Sequence, residues 1–240
     1  MRLDIFLVEH KFYETRNKAQ NAIKNNFVLV NGKTIDKANF LVNDNDVISK
    51  TKQEEYVSRG AYKLLEAINH WKIDFKNKIV LDIGASTGGF TDAAIRNGAK
   101  LVYAVDVGTN QLHHSLRNHR KIKSIENMHL KDLTNKLISE KIDIVVADIS
   151  FISLTKLIDK LVVLFFYRYK CIFLIKPEFE LQPNEISNGK VKSQKLLNKA
   201  INKIENYAVN HNFKIIGLIS SPILGNKAGN LEYLIYLEKQ

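Results

Sequence analysis

Two charged residues stand where apolar stretches of the sequence end: Asp148 follows 144-IVVA-147, and Lys176 follows 171-CIFLI-175. Such stretches predict buried strands, and parallel strands bring their carboxyl ends to one edge of a sheet. A charge at that edge is costly unless it pairs or takes part in chemistry. A carboxylate beside an amine can move a proton, so we interpret the pair as a candidate catalytic centre. A purely structural ion pair is the alternative.

A second carboxylate is also a candidate for chemistry. Glu232 interrupts the apolar stretch 231-LEYLIYL-237, which predicts a strand. Either its side chain points into the protein, where a charge needs a partner, or the strand lies at the edge of a sheet with Glu232 facing water.

The stretch 79-IVLDIGASTGGF-90 passes from apolar residues to a loop of very small ones. Such a loop between a strand and a helix lets the backbone approach a ligand closely, although some turns of this kind are purely structural. Asp106 ends the next apolar stretch, where a carboxylate accepts ribose hydroxyls; capping a helix from Asn110 is the alternative. The spacing from Gly84 lacks the three-glycine pattern of pyrophosphate binding, so we predict S-adenosylmethionine as the cofactor.

Strands and helices alternate around these residues. The alternation predicts an α/β fold in which helices cover both faces of a largely parallel sheet. The predicted strands lie near 79–83, 101–106, 122–126, 142–148, 171–176, 214–220 and 231–237, and the predicted helices near 61–71, 88–98, 110–118, 153–166 and 191–211.

A small unit precedes this fold. Apolar residues at helical spacing predict a first helix near Leu3, and Thr15 can cap a second one. The stretch 27-FVLVNGKTI-35 predicts a hairpin that turns at Asn31-Gly32 and begins a small curled sheet. We divide the chain into a small α+β domain, a polar linker and a larger α/β domain, over residues 1–49, 50–58 and 59–240.

The composition of the chain indicates the kind of partner it binds and the compartment in which it works. The 240 residues include 36 Lys and Arg against 25 Asp and Glu, and the net charge of +11 favours a polyanionic partner. The single cysteine, Cys171, cannot form an internal disulfide and has no metal-ligand cluster around it, so we predict no metal and a reduced, cytoplasmic location. Charges break the stretch 157–175 well short of about 20 apolar residues, which predicts a helix, a turn and a buried strand.

Six stretches, in this order, resemble the TlyA family of ribosomal RNA methyltransferases along the whole chain. They are YVSRGAYKL, LDIGASTGGFTD, VDVGTNQL, ADISFISL, IKPEFE and SPILGNKAGNLEYL. The front unit, through RLDIFLV, RNKAQNAIKNN and VLVNGK, resembles the small alpha-L RNA-binding domain. The resemblance implies a Rossmann-like class I methyltransferase sheet of the FtsJ-like type, S-adenosylmethionine as methyl donor, and an N-terminal RNA-binding domain.

FtsJ-like enzymes methylate a ribose 2′ hydroxyl with a Lys-Asp-Lys-Glu tetrad. When this tetrad is carried over by motif, the resemblance implies that its members here are Lys63, Asp148, Lys176 and Glu232. A lysine has an ordinary pKa of about 10.4, so at neutral pH it is charged and cannot act as a base. We expect burial and Lys63 to lower the pKa of Lys176 and Asp148 to oppose this, so that the tetrad titrates as a coupled unit.

The cofactor is expected to lie along the small-residue loop, with its ribose at Asp106 and its adenine near 124-SIENMHL-130. The expected cofactor-binding residues are Gly84, Ala85, Ser86, Gly88, Gly89, Asp106, Glu126, Asn127 and Met128. Basic residues of both domains are candidates for phosphate contacts, although a run of charge is often only a solvated surface. The expected RNA-binding residues are Arg2, Arg16, Lys18, Lys24, Lys33, Arg59, Arg117, Arg120, Lys190 and Lys192.

The resemblance also implies a substrate. The family modifies a cytidine ribose in large-subunit rRNA, and its longer members also modify one in small-subunit rRNA. The chain lacks the extensions of the longer members, so we predict action on large-subunit rRNA only, with no membrane and no obligate protein partner. Two other functions stay open: a haemolytic, membrane-damaging protein, and a non-catalytic RNA-binding factor, which binding of the methyl donor distinguishes from an enzyme.

Overall fold

The computed structural model describes residues 1–24, 27–50, 56–225 and 229–240. They form two compact units, Met1–Tyr56 and Val57–Gln240, and each is described by itself. The division falls inside the stretch predicted as a linker. Lys50 still belongs to a strand of the first unit, and the backbone N–H of Val57 donates to Asp92 of the second, so both ends of that stretch are structured.

The first unit consists of two helices and a small antiparallel sheet, as the sequence predicts. Its helices pack through Leu3, Leu7 and Ile23, which are fully buried. Thr15 caps the second helix by accepting from the backbone N–H of Lys18 at 3.3 Å. The elements are α1 (Leu3–Glu9), α2 (Arg16–Lys24), β1 (Val28–Val30), β2 (Lys33–Thr34) and β3 (Ile48–Lys50), and the strand order is β2-β1-β3.

The second unit contains a seven-stranded sheet. Four of its strand pairs are parallel, and the last strand of the chain lies antiparallel between two others. The strands are β4 (Ile79–Ile83), β5 (Leu101–Val105), β6 (Ile122–Ile125), β7 (Ile144–Ala147), β8 (Lys170–Ile175), β9 (Phe213–Ser220) and β10 (Tyr233–Lys239). Their order is β6-β5-β4-β7-β8-β10-β9, so β10 is an interior strand.

Helices connect these strands largely where the sequence predicts them. They are α3 (Gly60–Trp71), α4 (Gly89–Arg96), α5 (His114–Arg117), α6 (Leu154–Leu164), α7 (Pro177–Glu180) and α8 (Gln194–Asn210). The predicted helix over 110–118 is wrong for its first half. Asn110 has a positive φ of 54°, and its backbone N–H donates to Glu126 at 2.8 Å, so the segment turns there and the helix begins only after His113.

The apolar stretch 157–175 has the structure that the sequence predicts. It comprises most of α6, a turn and all of β8, whose residues from Cys171 to Ile175 are buried. Among the residues that the structure describes, no helix is long and apolar enough to cross a membrane.

A buried acid, Asp82, lies in the middle of this sheet. It is 0% exposed on β4, its Oδ2 accepts from Thr91 Oγ1 at 2.6 Å, and within the described residues its Oδ1 has no hydrogen-bond partner. Burial, which the hydrogen bond from Thr91 only partly offsets, raises the pKa of Asp82 to about 7. The carboxyl group is therefore protonated in mildly acidic solution.

We expect Asp82→Asn to stabilise the protein relative to wild type, and increasingly so as the pH rises. The folded chain holds the Asp82 proton up to about pH 7, whereas the unfolded chain releases it near 3.8. Wild type therefore loses stability between these values, by a few kcal/mol at most, since one pKa unit corresponds to about 1.4 kcal/mol. Urea unfolding of both proteins at pH 5 and pH 8 measures the change, with the exposed Asp74→Asn as control. An equal stability difference at both pH values would contradict it.

Candidate active site

The small-residue loop after β4 lies directly against the loop that carries Asp148. Gly84 has a φ of +81°, and a Cβ there would lie 3.0 Å from the backbone oxygen of Asp148. Gly88 has a φ of +96°, and a Cβ there would lie 2.5 Å from Leu116 Cδ1. A larger residue at either position meets both backbone strain and a contact, which explains why this loop is built from glycine.

The start of α3 packs on the start of α4. A Cβ on Gly89 would lie 2.3 Å from Ser58 Oγ and 2.9 Å from the backbone N of Ala61. Because α3 carries Lys63 on its first turns, this close packing brings Lys63 to the loop that follows β4.

Four ionisable side chains from four different segments meet beside this loop. Lys63 Nζ lies 2.7 Å from Glu232 Oε2 and 3.4 Å from Asp148 Oδ2. Lys176 Nζ lies 2.5 Å from Asp148 Oδ1. The side chains of Lys63 and Glu232 are only 6% and 3% exposed, so they form the buried end of the cluster, while Lys176 and Asp148 form the accessible end.

Glu232 lies one residue before β10 rather than inside the strand. The alternative, an edge strand with Glu232 facing water, is wrong because β10 is flanked by β8 and β9. The carboxylate instead reaches inward to Lys63.

The two acids of the cluster differ in their electrostatics. Burial would raise the pKa of Asp148, but the charges of Lys63 and Lys176 outweigh it and hold that pKa below its ordinary value. Burial raises the pKa of Glu232, and the attraction of Lys63 only partly offsets it. Asp148 is therefore the permanent anion between the two lysines.

The sequence arguments missed two serines of the site. Ser150 Oγ accepts from Lys176 Nζ at 2.8 Å, and Ser58 lies against the glycine loop. Both lie inside the quoted motifs ADISFISL and YVSRGAYKL, so their position next to Asp148 and Lys63 was a signal, but serine alone carries no charge that marks it.

A cleft of about 230 Å³ joins the loop to the ionisable cluster. Of the expected cofactor-binding residues, Gly84, Ala85, Ser86 and Gly89 line it, together with Lys63, Asp148 and Lys176. Arg59, which was expected to bind RNA, also lines it, and within the described residues its Nη2 is buried without a hydrogen-bond partner. A ligand in this cleft would therefore contact the backbone of the glycine loop, the Nη2 of Arg59 and the cluster of ionisable side chains.

Gly88 lies in the loop itself, and the other expected cofactor-binding residues follow the next two strands, β5 and β6. Asp106 accepts from the backbone N–H of Ser86 at 2.7 Å and of Gly108 at 2.8 Å. These bonds place its carboxylate beside the loop, and they account for Asp106 without the helix cap that was its alternative. Glu126 accepts from the backbone N–H of Asn110, Asn127 accepts from Thr109, and the backbone N–H of Met128 donates to the backbone oxygen of Asp106, so all three border the segment after β5.

The expected RNA-binding residues are dispersed over both units. In the first unit, Arg2 and Arg16 bond Asp4, Lys18 pairs with Glu14, Lys33 is exposed, and the side chain of Lys24 lies outside the described part. In the second, Arg120, Lys190 and Lys192 are exposed. Arg117 instead donates to the backbone oxygens of Leu112 and Asn110, both at 2.7 Å, so it holds a loop in place.

Three features together define a Rossmann-like class I methyltransferase: the strand order, the small-residue loop with Asp106 beside it, and the adjoining cluster of ionisable side chains. Residues 56–239 match the FtsJ-like methyltransferase family, and residues 1–48 match the S4 domain. The chain therefore belongs to the FtsJ-like methyltransferases and carries an S4 domain in front. Its methyl donor is S-adenosylmethionine, which the cradle at Gly84–Gly89 and the unpaired Nη2 of Arg59 suit.

Full-length relatives support this assignment. "Hemolysin A" of Brachyspira hyodysenteriae is 40% identical, over 98% of this chain and 99% of that protein. "23S rRNA (cytidine-2'-O)-methyltransferase TlyA" of Campylobacter jejuni is 36% identical over 100% of both chains. A solved structure from Streptococcus thermophilus, 35% identical, covers 100% of this chain and 88% of its own with a TM-score of 0.78.

Proposed function

We propose that this protein methylates the 2′ hydroxyl of a cytidine in ribosomal RNA, and that the large-subunit rRNA is its substrate. The observation that carries the proposal is the meeting of Lys63, Asp148, Lys176 and Glu232 beside the cofactor loop. The activity named for the Campylobacter jejuni relative supports the choice of cytidine and of 23S rRNA.

When bound, S-adenosylmethionine supplies a methyl group activated by a positively charged sulfur. The work of the protein is then to hold the ribose oxygen in line and to accept its proton, which passes to the uncharged form of the Lys176 amine. Lys176 is suited to this because it is the lysine at the accessible end of the cluster, 11% exposed against 6% for Lys63. Alignment of the reacting atoms should supply much of the rate.

The other members of the cluster act on Lys176. Asp148 and Ser150 fix its Nζ through contacts of 2.5 and 2.8 Å, so the amine cannot swing away when RNA enters. Lys63 and Glu232 form the buried pair behind Asp148 and hold that carboxylate in place. We therefore assign Lys176 to the ribose hydroxyl and the other three to positioning and charge balance.

The alternatives are less well supported. A non-catalytic RNA-binding factor would not need four ionisable groups brought together at a cofactor cleft. A membrane-damaging role would give the same cluster and cleft no task.

Mapping 2′-O-methyl groups on both rRNAs, in cells with and without the gene, tests the proposed function. We expect one cytidine of the large-subunit rRNA to lose its methyl group in the deletion strain, and restoration by the wild-type gene but not by one encoding Lys176→Ala. Loss of a small-subunit site as well would correct the predicted restriction to the large subunit. An unchanged pattern on both rRNAs would refute the proposal.

A further inference from the structure

A fully buried carboxylate joins two arginines in the S4 unit. Asp4 is 0% exposed. It accepts from Arg2 Nε at 3.0 Å, Arg2 Nη2 at 3.2 Å, Arg16 Nε at 2.8 Å and Gln20 Nε2 at 2.6 Å. Arg2 precedes α1 and Arg16 begins α2, so one acid fixes the two side chains relative to each other across the helix pair.

Both arginines remain open to solvent on their other side. Their side chains are 40% and 53% exposed. In the described part of the unit, Arg2 Nη1 and both Nη groups of Arg16 have no hydrogen-bond partner. Three amino groups of two guanidinium ions are therefore available, and each guanidinium can bind a phosphate through a pair of parallel N–H groups.

The charges favour an anion at this point. Two guanidinium ions face one carboxylate, which leaves a net charge of +1. The hydrogen bonds from Arg2, followed by those from Gln20 and Arg16, hold the pKa of Asp4 well below its ordinary range, so the carboxylate keeps its charge. These bonds also restrict both arginine side chains before a ligand arrives, so less rotamer entropy is lost when one binds.

We propose that Asp4 is a positioning residue that holds Arg2 and Arg16 as one clamp for phosphate oxygens of an RNA backbone. The inference rests on the proposed function, because rRNA is the partner that supplies the phosphates. The clamp differs from a general basic surface in one respect. The negative charge of Asp4 strengthens RNA binding by the clamp, whereas it would weaken binding to a general basic surface.

The clamp and a general basic surface predict opposite changes in RNA affinity for Asp4→Asn. The variant keeps the shape of the side chain and makes the protein more positive by one charge, so bulk electrostatics predicts unchanged or tighter binding to RNA. The clamp predicts binding weaker by about tenfold, since a hydrogen bond to a charged group contributes about 1.5–3 kcal/mol and each 1.4 kcal/mol is tenfold. Fluorescence anisotropy of the full chain with a 23S rRNA transcript measures the affinity.

Kinetics separate positioning from a general loss of structure. We expect Asp4→Asn to raise the KM for RNA about tenfold, while kcat at saturating RNA and the Kd for S-adenosylmethionine stay unchanged. Gln20→Ala is the matched control, because it removes a bond to the same carboxylate without touching either arginine.

Arg16→Lys is a second variant, in case Asp4→Asn does not fold. Arg16 is half exposed, so the substitution leaves the core intact and preserves the charge but loses the planar fork. We expect it to weaken RNA binding several-fold, whereas Lys37→Arg, at an exposed lysine of the same unit that also keeps its charge, should not. If Arg16→Lys binds RNA like wild type, or if a folded Asp4→Asn does, the clamp is refuted. If wild type itself fails to bind the transcript, the proposed function fails instead.

Discussion

Replacing Lys176 by alanine is expected to lower the rate of methyl transfer by about 10²–10⁴-fold, the contribution typical of a group that handles a proton in the transition state. The side chain lies 2.5 Å from Asp148 and 2.8 Å from Ser150, at the accessible end of the cluster, where a ribose hydroxyl would enter. Removing it leaves the glycine loop untouched. Single-turnover methylation of an rRNA transcript with labelled S-adenosylmethionine measures the loss.

A second lysine on the same strand provides the control. Lys170 begins β8 at the opposite end from Lys176, and its side chain is 48% exposed. Lys170→Ala removes the same charge and the same side chain, so any effect of net charge on RNA binding appears equally in both variants. We expect Lys170→Ala to keep its rate and both variants to bind the cofactor. Similar rates for Lys176→Ala and wild type would remove Lys176 from the chemistry.

Gly89→Ala is the second large effect that we expect, because the position has no room for a methyl group. The added Cβ would lie 2.3 Å from Ser58 Oγ, 2.9 Å from the backbone N of Ala61 and 3.2 Å from the backbone C of Gly60. The serine can rotate, but the backbone of α3 has to move, and Lys63 moves with it. Overpacking costs about 1–3 kcal/mol, and a misplacement of about 1 Å costs about 10²-fold in rate.

Gly60, which lies beside Gly89, provides the control, because the same glycine-to-alanine change there meets no close contact. A Cβ on Gly60 would meet Ser58 Oγ at 3.4 Å, an ordinary contact, and Gly60 is helical. We expect Gly60→Ala to leave the melting temperature unchanged or slightly raised, since alanine is favoured over glycine in helices by about 1 kcal/mol. Gly89→Ala should melt about 5 °C lower and methylate about 10²-fold more slowly. A Gly89→Ala protein with normal melting and rate would show that the helix packing is looser than described.

The sequence predicts the two halves of the catalytic cluster on different grounds. Asp148 and Lys176 follow neighbouring parallel strands, β7 and β8, so their meeting follows from the apolar pattern and from general sheet geometry. Lys63 comes from a helix before the sheet, and Glu232 lies one residue before β10, the strand placed between β8 and β9. The apolar pattern marks Glu232 as a candidate, but no local pattern fixes that strand order, so only the family resemblance joined Glu232 and Lys63 to Asp148 and Lys176.

Local sequence pattern also gave no correct prediction where hydrogen bonds between residues distant in sequence determine the structure. The segment from Asn110 has a helix-like pattern, but Glu126 takes its first N–H and the chain turns instead. The buried position of Asp4 could not be predicted either, because an acid two residues from an arginine is typical of an exposed surface. In both cases the deciding partner lies more than ten residues away in the chain.

The placement of β10 inside the sheet has a consequence for how activity arises during synthesis. The bond between Lys63 and Glu232 joins residues 169 positions apart, and Glu232 precedes the strand that fills the gap between β8 and β9. When the ribosome has already synthesised the glycine loop, Lys63 and Lys176, the nascent chain still lacks Glu232 and β10. Catalytic competence should therefore appear only when translation has passed the final strand, so that partial products accumulating on a ribosome stay inert.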